Sequence, residues 1–175
     1  MNNLMIVAHP DDESIFGASL LMTEPNWKVI CVSCGYQPNR KLEFEKAMDF
    51  LNITDYEIWN FLDNMPENIP AWGSGKASRI SNRIRKVLNE KKYDKIVTHG
   101  PDGEYGHNQH KAVHQIVKNL VTENLFIFGK SEERLDKKVL FKKIDLLDIY
   151  YWQGLWRMGY LHEWIINESV VPYNE

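Results

Sequence analysis

A chain of 175 residues has the length of one compact domain, so a single domain over 1–175 is expected. Its 43% hydrophobic and 26% charged residues exclude a disordered or fibrous architecture. A net charge of only −3 argues against a surface built for nucleic acid or acidic membranes and leaves small molecules as the expected partners.

The N-terminus passes from Met1 through two Asn into a short apolar run without a basic segment or small-residue cleavage site, unlike a signal peptide. No apolar run approaches the roughly 18 residues of a membrane span. A cytoplasmic protein is the expectation. Asn3 to Ala8 predicts a strand, Ser14 to Met22 a helix, and Trp27 to Ser33 a second strand, a βαβ unit. Cys31 and Cys34 form C-x-x-C, but they end an apolar run instead of opening a helix, so buried thiols are expected over a redox pair. Arg40 to Leu51 places Phe44, Ala47, Met48 and Leu51 on one helical stripe. Tyr56 to Phe61 alternates as a strand. Pro66, Pro70, Gly73 and Gly75 then predict a long, functional loop before a helix carrying Ile80, Ile84, Val87 and Leu88.

A fourth strand ends at His99, a turn-rich "GPDGEYG" follows, and Val113, Ile116, Val117 and Leu120 mark another helix. Leu125 to Phe128 predicts a fifth strand. Beyond it the pattern predicts a strand at Val139 to Phe141, a helix from Lys142 to Tyr151 and an extended piece at Ile165 to Val171, with aromatics that cap the core or form a subunit contact, so a homo-oligomer is plausible. The alternation of strands and helices predicts an α/β fold, a three-layer Rossmann-like sandwich with a mostly parallel sheet. Ligands bind such sheets beyond the carboxyl ends of the strands, near the point where strand order reverses. "HPDDE" and "HGPDGEYGHNQH", after the first and fourth strands, both fall there.

Catalytic zinc sites commonly use three N or O ligands, often a close pair and a distant third, and leave a position for water. His9 and Asp12, separated by a turn that Pro10 stiffens, can form the pair. His107, His110 and His114 recur at helical spacings and can supply the third ligand, with His110 on the inward stripe. Asp11 is then placed to act as general base on a water whose pKa the metal lowers to about 7, and a protonated His107 can stabilise the oxyanion and protonate a leaving amine. The plain alternative is that Asp12 or Ser14 caps a helix and the histidines are ordinary hydrogen-bonded residues.

"AHPDDE" and "GHNQHKAVH", with Arg40 and Glu43 of "NRKLEFEKAMDFLNI" between them, resemble the signature segments of the LmbE/PIG-L type N-deacetylases over roughly residues 3 to 120. That resemblance implies an enzyme removing acetyl from N-acetylglucosamine-containing conjugates. It implies His9, Asp12 and His110 as zinc ligands, Asp11 as base, and His107 as oxyanion stabiliser and acid. It also implies Arg40 and Asp63 near the substrate's hydroxyls or phosphate. Arg40 can equally pair with Glu43 or Asp63. Many members carry Pro-Asp where this chain has Asn108 and Gln109; neutral Gln109 raises a neighbouring imidazole less than Asp would. Two His and one carboxylate suit Fe2+ as well as Zn2+. Trp72 and Tyr105 can stack on a sugar ring or serve as loop anchors. Competing expectations are a metal-dependent hydrolase of another ester or phosphoester, and a non-catalytic carbohydrate-binding module that keeps the fold.

Overall fold

The computed structural model describes residues 1–63, 71–155 and 158–173. Strand β1 (Asn3–Val7) is buried on both faces, because Leu4 and Ile6 face one core while Met5 and Val7 face the other. It pairs in parallel with both β2 (Trp27–Ser33) and β4 (Lys95–Thr98). β3 (Asp55–Phe61) extends the sheet beyond β2, and β5 (Leu125–Lys130) extends it beyond β4. β6 (Glu168–Pro172) closes the edge antiparallel to β5, giving the order β3-β2-β1-β4-β5-β6. The chain grows outward from β1 in both directions, so a crevice opens where the carboxyl ends of β1 and β4 part.

Helices cover both faces. α1 (Asp12–Phe16), α2 (Ala18–Thr23), α3 (Pro38–Phe50), α7 (Lys137–Asp148) and α8 (His162–Ile166) pack on one side through Phe16, Leu21, Phe44, Met48, Leu147 and Ile165. α4 (Ser74–Leu88) and α6 (Asn108–Lys118) cover the other through Ile80, Ile84, Val113 and Val117. The predicted three-layer sandwich with a mostly parallel sheet is the observed one. Between β4 and α6 the chain makes the single turn α5 (Gly103–Gly106).

Four local expectations change. The helix expected from Ser14 to Met22 is two short helices that break at Gly17, where an added Cβ would lie 2.5 Å from Met5 Cε and 3.1 Å from the Phe128 ring. Only glycine lets the break press this closely on the sheet. The strand expected at Val139 to Phe141 lies inside α7, which Asp136 caps by accepting from the backbone N–H of Lys138 at 2.8 Å and Val139 at 3.4 Å. Leu140, Lys143 and Leu147 form the inward stripe of that helix, and the lysine at its centre hid the apolar period. α7 also ends at Asp148, short of Tyr151, and the extended piece expected from Ile165 to Val171 begins only at Glu168 and runs on to Pro172, Ile165 being helical. After β3, α4 begins at Ser74, so Gly75 lies in a helix, while Pro66 and Pro70 fall outside the described residues.

The buried Lys143 forms an ion pair with Glu168 at 2.5 Å. Its Nζ donates to the Ile15 carbonyl at 2.6 Å, and the Glu168 carboxylate accepts from Ser19 N–H at 2.8 Å and Ser19 Oγ at 2.5 Å. The pair thus satisfies the last carbonyls of α1 and the first amides of α2 across the Gly17 break. It locks the C-terminal third of the chain beneath the helix whose other end carries "HPDDE".

Candidate metal centre and active site

At the end of β1 the chain turns through His9 and Pro10 into Asp11, whose backbone sits at φ 125°, ψ −29°, a strained conformation for a residue with a Cβ. Its neighbours hold it there. Asp11 N–H donates to Glu13 Oε2 at 3.2 Å, and its carbonyl accepts from Ser14 and Ile15 N–H at 2.9 and 2.8 Å. Glu13 is fully buried and also accepts from Ser14 Oγ at 2.6 Å and Tyr150 Oη at 2.5 Å. Neither Asp12 nor Ser14 caps α1; the Asp12 carboxylate instead accepts from His9 N–H at 2.7 Å.

At the end of β4, Glu104 is a second strained residue, at φ 57°, ψ −65°. Its carboxylate accepts from Gly100 N–H at 2.8 Å, from His99 Nδ1 at 2.8 Å and from His110 Nδ1 at 2.5 Å. α6 then opens with His107, whose Nδ1 accepts from Gln109 N–H at 3.3 Å. His110 follows one turn later, fully buried and stacked on His99 with ring centroids 3.9 Å apart.

Across the crevice, His9 Nδ1 and His110 Nε2 lie 3.2 Å apart, and each lies 3.2 Å from a carboxylate oxygen of Asp12. The remaining hydrogen bonds identify which lone pairs point inward. His9 Nε2–H donates to Gln109 Oε1 at 2.7 Å, with Asp63 Oδ1 at 3.1 Å, which turns Nδ1 towards the centre. His110 Nδ1–H is engaged by Glu104, which leaves Nε2. Described residues offer two other three-donor groups, His9 with His107 and His110, and Asp12 with His99 and His110. His99 Nε2, however, accepts from Ala8 N–H at 2.9 Å, and its Nδ1 serves Glu104. A tetrahedral ion with bonds near 2.0–2.1 Å needs donors about 3.3 Å apart, so His9, Asp12 and His110 fit a metal by spacing and by donor type. Burial disfavours charge on His9, but Asp12 and Asp63 outweigh it and raise its pKa well above the ordinary value. A field that draws a proton is also one that holds a dication.

This triangle opens onto a cavity of about 430 Å³ bounded by Asp11, Arg40, Asp63, Tyr105 and His107 and, from the C-terminal segment, by Gln153, Leu155, Met158 and Tyr160. A larger depression of about 710 Å³ lies at the opposite ends of the strands, by Lys118, Asn124 and Tyr173, away from His9, His107 and His110. Burial and the charge of Asp12 push the Asp11 carboxyl well up, against Arg40 and His9. Arg40 pairs with Asp63 at 2.7 Å and donates to the Pro10 carbonyl at 3.1 Å; Glu43 instead accepts from Trp152 N–H at 2.8 Å and Gln153 Nε2 at 3.0 Å. The two arms of that helix therefore divide the work, one facing the cleft and one clamping its C-terminal wall.

Several expectations are corrected. Burial and the neighbouring His9 and His110 hold His107 down at about 4, which disfavours the imidazolium expected there, and its Nδ1 accepts from Gln109 N–H. The side-chain amide of Gln109 bonds His9, while His107 meets the Gln109 backbone N–H instead. His114 reaches the edge of the cluster through Nδ1–H, which donates to the His99 carbonyl at 2.8 Å, and turns its ring to Tyr173. Trp72 is fully buried and donates to the Leu62 carbonyl at 2.8 Å, so it anchors the loop; Tyr105 is 41% exposed at the cavity rim. Cys31 and Cys34 are free and buried, and burial pushes Cys34 up to about 11, as suits inert thiols. His99, Glu104 and the C-terminal wall were missed. The acidic residue three positions before His107 was the available signal for Glu104. No described helix is long and apolar enough to cross a membrane.

Residues 4–121 match the family model described as PIG-L, GlcNAc-PI de-N-acetylase. Protein L374 of Acanthamoeba polyphaga mimivirus is 33% identical over 160 residues, covering 82% of this chain and 68% of that protein. A 1D-myo-inositol 2-acetamido-2-deoxy-alpha-D-glucopyranoside deacetylase 2 of Catenulispora acidiphila is 24% identical over 147 residues, covering 65% of this chain and 48% of that protein, so the chain spans about half the length of this relative. Among solved structures, a triple mutant of a deacetylase from the teicoplanin biosynthetic pathway superposes with a TM-score of 0.72 at 16% identity, covering 91% of this chain and 85% of that one. The fold, the two motif segments at its switch point and the match over residues 4–121 together make this chain a member of the PIG-L family of de-N-acetylases.

Proposed function

We propose that the chain is a zinc-dependent N-deacetylase that hydrolyses the acetamide of an N-acetylated amino sugar or its conjugate, acting as one domain over 1–175. The observation that carries this reading is the convergence of three unspent lone pairs, on His9 Nδ1, Asp12 and His110 Nε2, at 3.2 Å spacing beside a cavity that Asp11 lines. Bound by these residues, a divalent ion supplies Lewis-acid polarisation of the amide carbonyl and a water of pKa near 7.

The chain's own groups carry the remaining work. Asp11 takes the proton of the attacking water, for which its raised affinity for a proton suits it. His107, neutral, donates its Nε2–H to the carbonyl oxygen as negative charge develops there. The proton held by Asp11 then passes to the departing amine, which leaves acetate and a free amino sugar. Arg40 and Asp63 form the polar side of the cleft and are assigned to substrate hydroxyls or phosphate, while Tyr105 offers a ring face at the rim.

The test is metal analysis of the purified protein with acetate release from a panel of N-acetylated sugars, nucleotide sugars and lipid-linked sugars. One zinc per chain is expected; iron at the same stoichiometry would change the metal alone. Asp11→Asn should keep the metal and lose about 10²–10⁴-fold in rate. A wild type that binds metal yet releases acetate from none of the panel would favour a carbohydrate-binding role instead.

A further inference from the structure

Trp72 and Gln109 meet at one atom. The Leu62 carbonyl accepts from Trp72 Nε1–H at 2.8 Å and from Gln109 Nε2–H at 2.8 Å, which uses both of its lone pairs. Because the donating end of the amide must face Leu62, its oxygen must face His9, whose Nε2–H it accepts at 2.7 Å. Trp72 is fully buried and Gln109 is 2% exposed, so neither has a solvent alternative. The result is a fixed chain, Trp72 to Leu62 to Gln109 to His9, that runs from the base of the loop after β3 into the metal centre.

We infer that this chain is a positioning relay that sets the Nε2–H tautomer of His9 and so turns its Nδ1 towards Asp12 and His110. The inference rests on His9 being a metal ligand, as proposed above. His110 receives the corresponding service from Glu104, a carboxylate that also holds His99. The two imidazoles are therefore oriented by unlike partners, one anionic and one a neutral amide whose direction is set by the Leu62 carbonyl that a tryptophan also holds. An amide fixes the tautomer without adding negative charge behind the ring, whereas a carboxylate also makes the ligand more basic. Asp63 Oδ1, at 3.1 Å from His9 Nε2, is the more distant acceptor, and Arg40 holds that carboxylate through its other oxygen, Oδ2. The relay assigns Trp72 to the site without contact with substrate, and it couples the loop that Leu62 begins to metal affinity.

The experiment uses the zinc-loaded protein, with zinc affinity measured by chelator competition and the His9 ring read by ¹⁵N NMR. Wild type should carry its His9 proton on Nε2. Gln109→Leu should lose that protected proton and weaken zinc by about 10–100-fold. Trp72→Phe, which alters no group touching His9, should weaken zinc in the same direction by less, and it carries the test should Gln109→Leu not fold. Asp63→Ala should leave the proton on Nε2. Retention of the Nε2 proton and of zinc affinity within about twofold in both Gln109→Leu and Trp72→Phe would overturn the relay. A shift of the proton in Asp63→Ala alone would transfer the orienting role to the carboxylate. Full zinc affinity in His9→Ala, or no zinc uptake by wild type, would instead remove the metal reading on which the relay rests.

Discussion

The two ends of α1 meet two buried charge clusters of opposite kinds. At its C-terminal end, Lys143 and Glu168 are fully buried, and every neighbour they touch completes a bond: the Ile15 carbonyl, the Ser19 amide and the Ser19 hydroxyl. At its N-terminal end, His9, Asp12 and His110 are as deeply buried, yet their outer bonds to Gln109 and Glu104 leave acceptor atoms aimed at one another. Burial of charge is common to both. Only the second brings two imidazole nitrogens and a carboxylate face to face at the spacing of a metal ion's donors. The strained backbones of Asp11 and Glu104 also flank this end, where surrounding hydrogen bonds over-determine them.

Substitutions can break that contrast. The largest effect on stability is expected at the closed pair: Lys143→Met should cost about 3–5 kcal/mol in denaturant unfolding, because it leaves the Glu168 carboxylate buried without its partner. Lys143→Met with Glu168→Leu should recover much of that loss, since apolar replacement of both partners removes the stranded charge. If the double variant were no better than the single, the pair would be doing more than neutralising itself and capping the Gly17 break.

The open cluster should show itself through pH. Burial favours the protonated form of Glu104, but His99 and His110 outweigh it and hold the carboxyl from its ordinary 4.5 down to about 2. Between those values the unfolded chain binds more protons than the folded one, so stability is full above pH 4.5 and falls as pH drops towards 2. The loss is about 3 kcal/mol for the metal-free protein. Acid titrations of unfolding should show this limb in wild type and a flatter one in Glu104→Gln. An unchanged limb in that variant would assign the acid sensitivity to other carboxylates.

The smallest effect is expected where charge is exposed. Lys41 and Glu45 stand 3.7 Å apart on the outer face of α3, and Lys41→Ala should change stability by only about 0.3–0.5 kcal/mol, diminishing further with salt. A loss of more than about 1 kcal/mol there would mean that burial is not what separates consequential charge from inconsequential charge in this protein.

Much of the site was legible because it obeys local rules. His9, Pro10, Asp11 and Asp12 follow directly from a strand, and His107 and His110 lie on one turn of a helix whose apolar period is clear. The mostly parallel α/β architecture needed only the βαβ rhythm through β5, whereas the strand order came from the structure. Beyond Lys130 the rhythm failed, because Lys143 interrupts the stripe of α7 and its partner Glu168 is 25 residues away, a separation no periodicity reports. Trp72 misled for a related reason: an aromatic in a Pro/Gly loop looks available to ligand, and only its bond to the Leu62 carbonyl reveals that it is spent.

The sequence by itself determined the α/β alternation, the placement of both motif segments at strand ends, and the pair His9 and Asp12 with three candidate histidines for the third position, among which the family resemblance pointed to His110. Those properties are written in side-chain type and period. Tertiary structure decided which nitrogen of each histidine faces inward, that the His107 imidazolium is disfavoured, that Gln109 serves His9, and that Gln153, Leu155, Met158 and Tyr160 wall the cleft. Each of these depends on a partner brought close by folding, and a proton's position is set by the acceptor it meets in space.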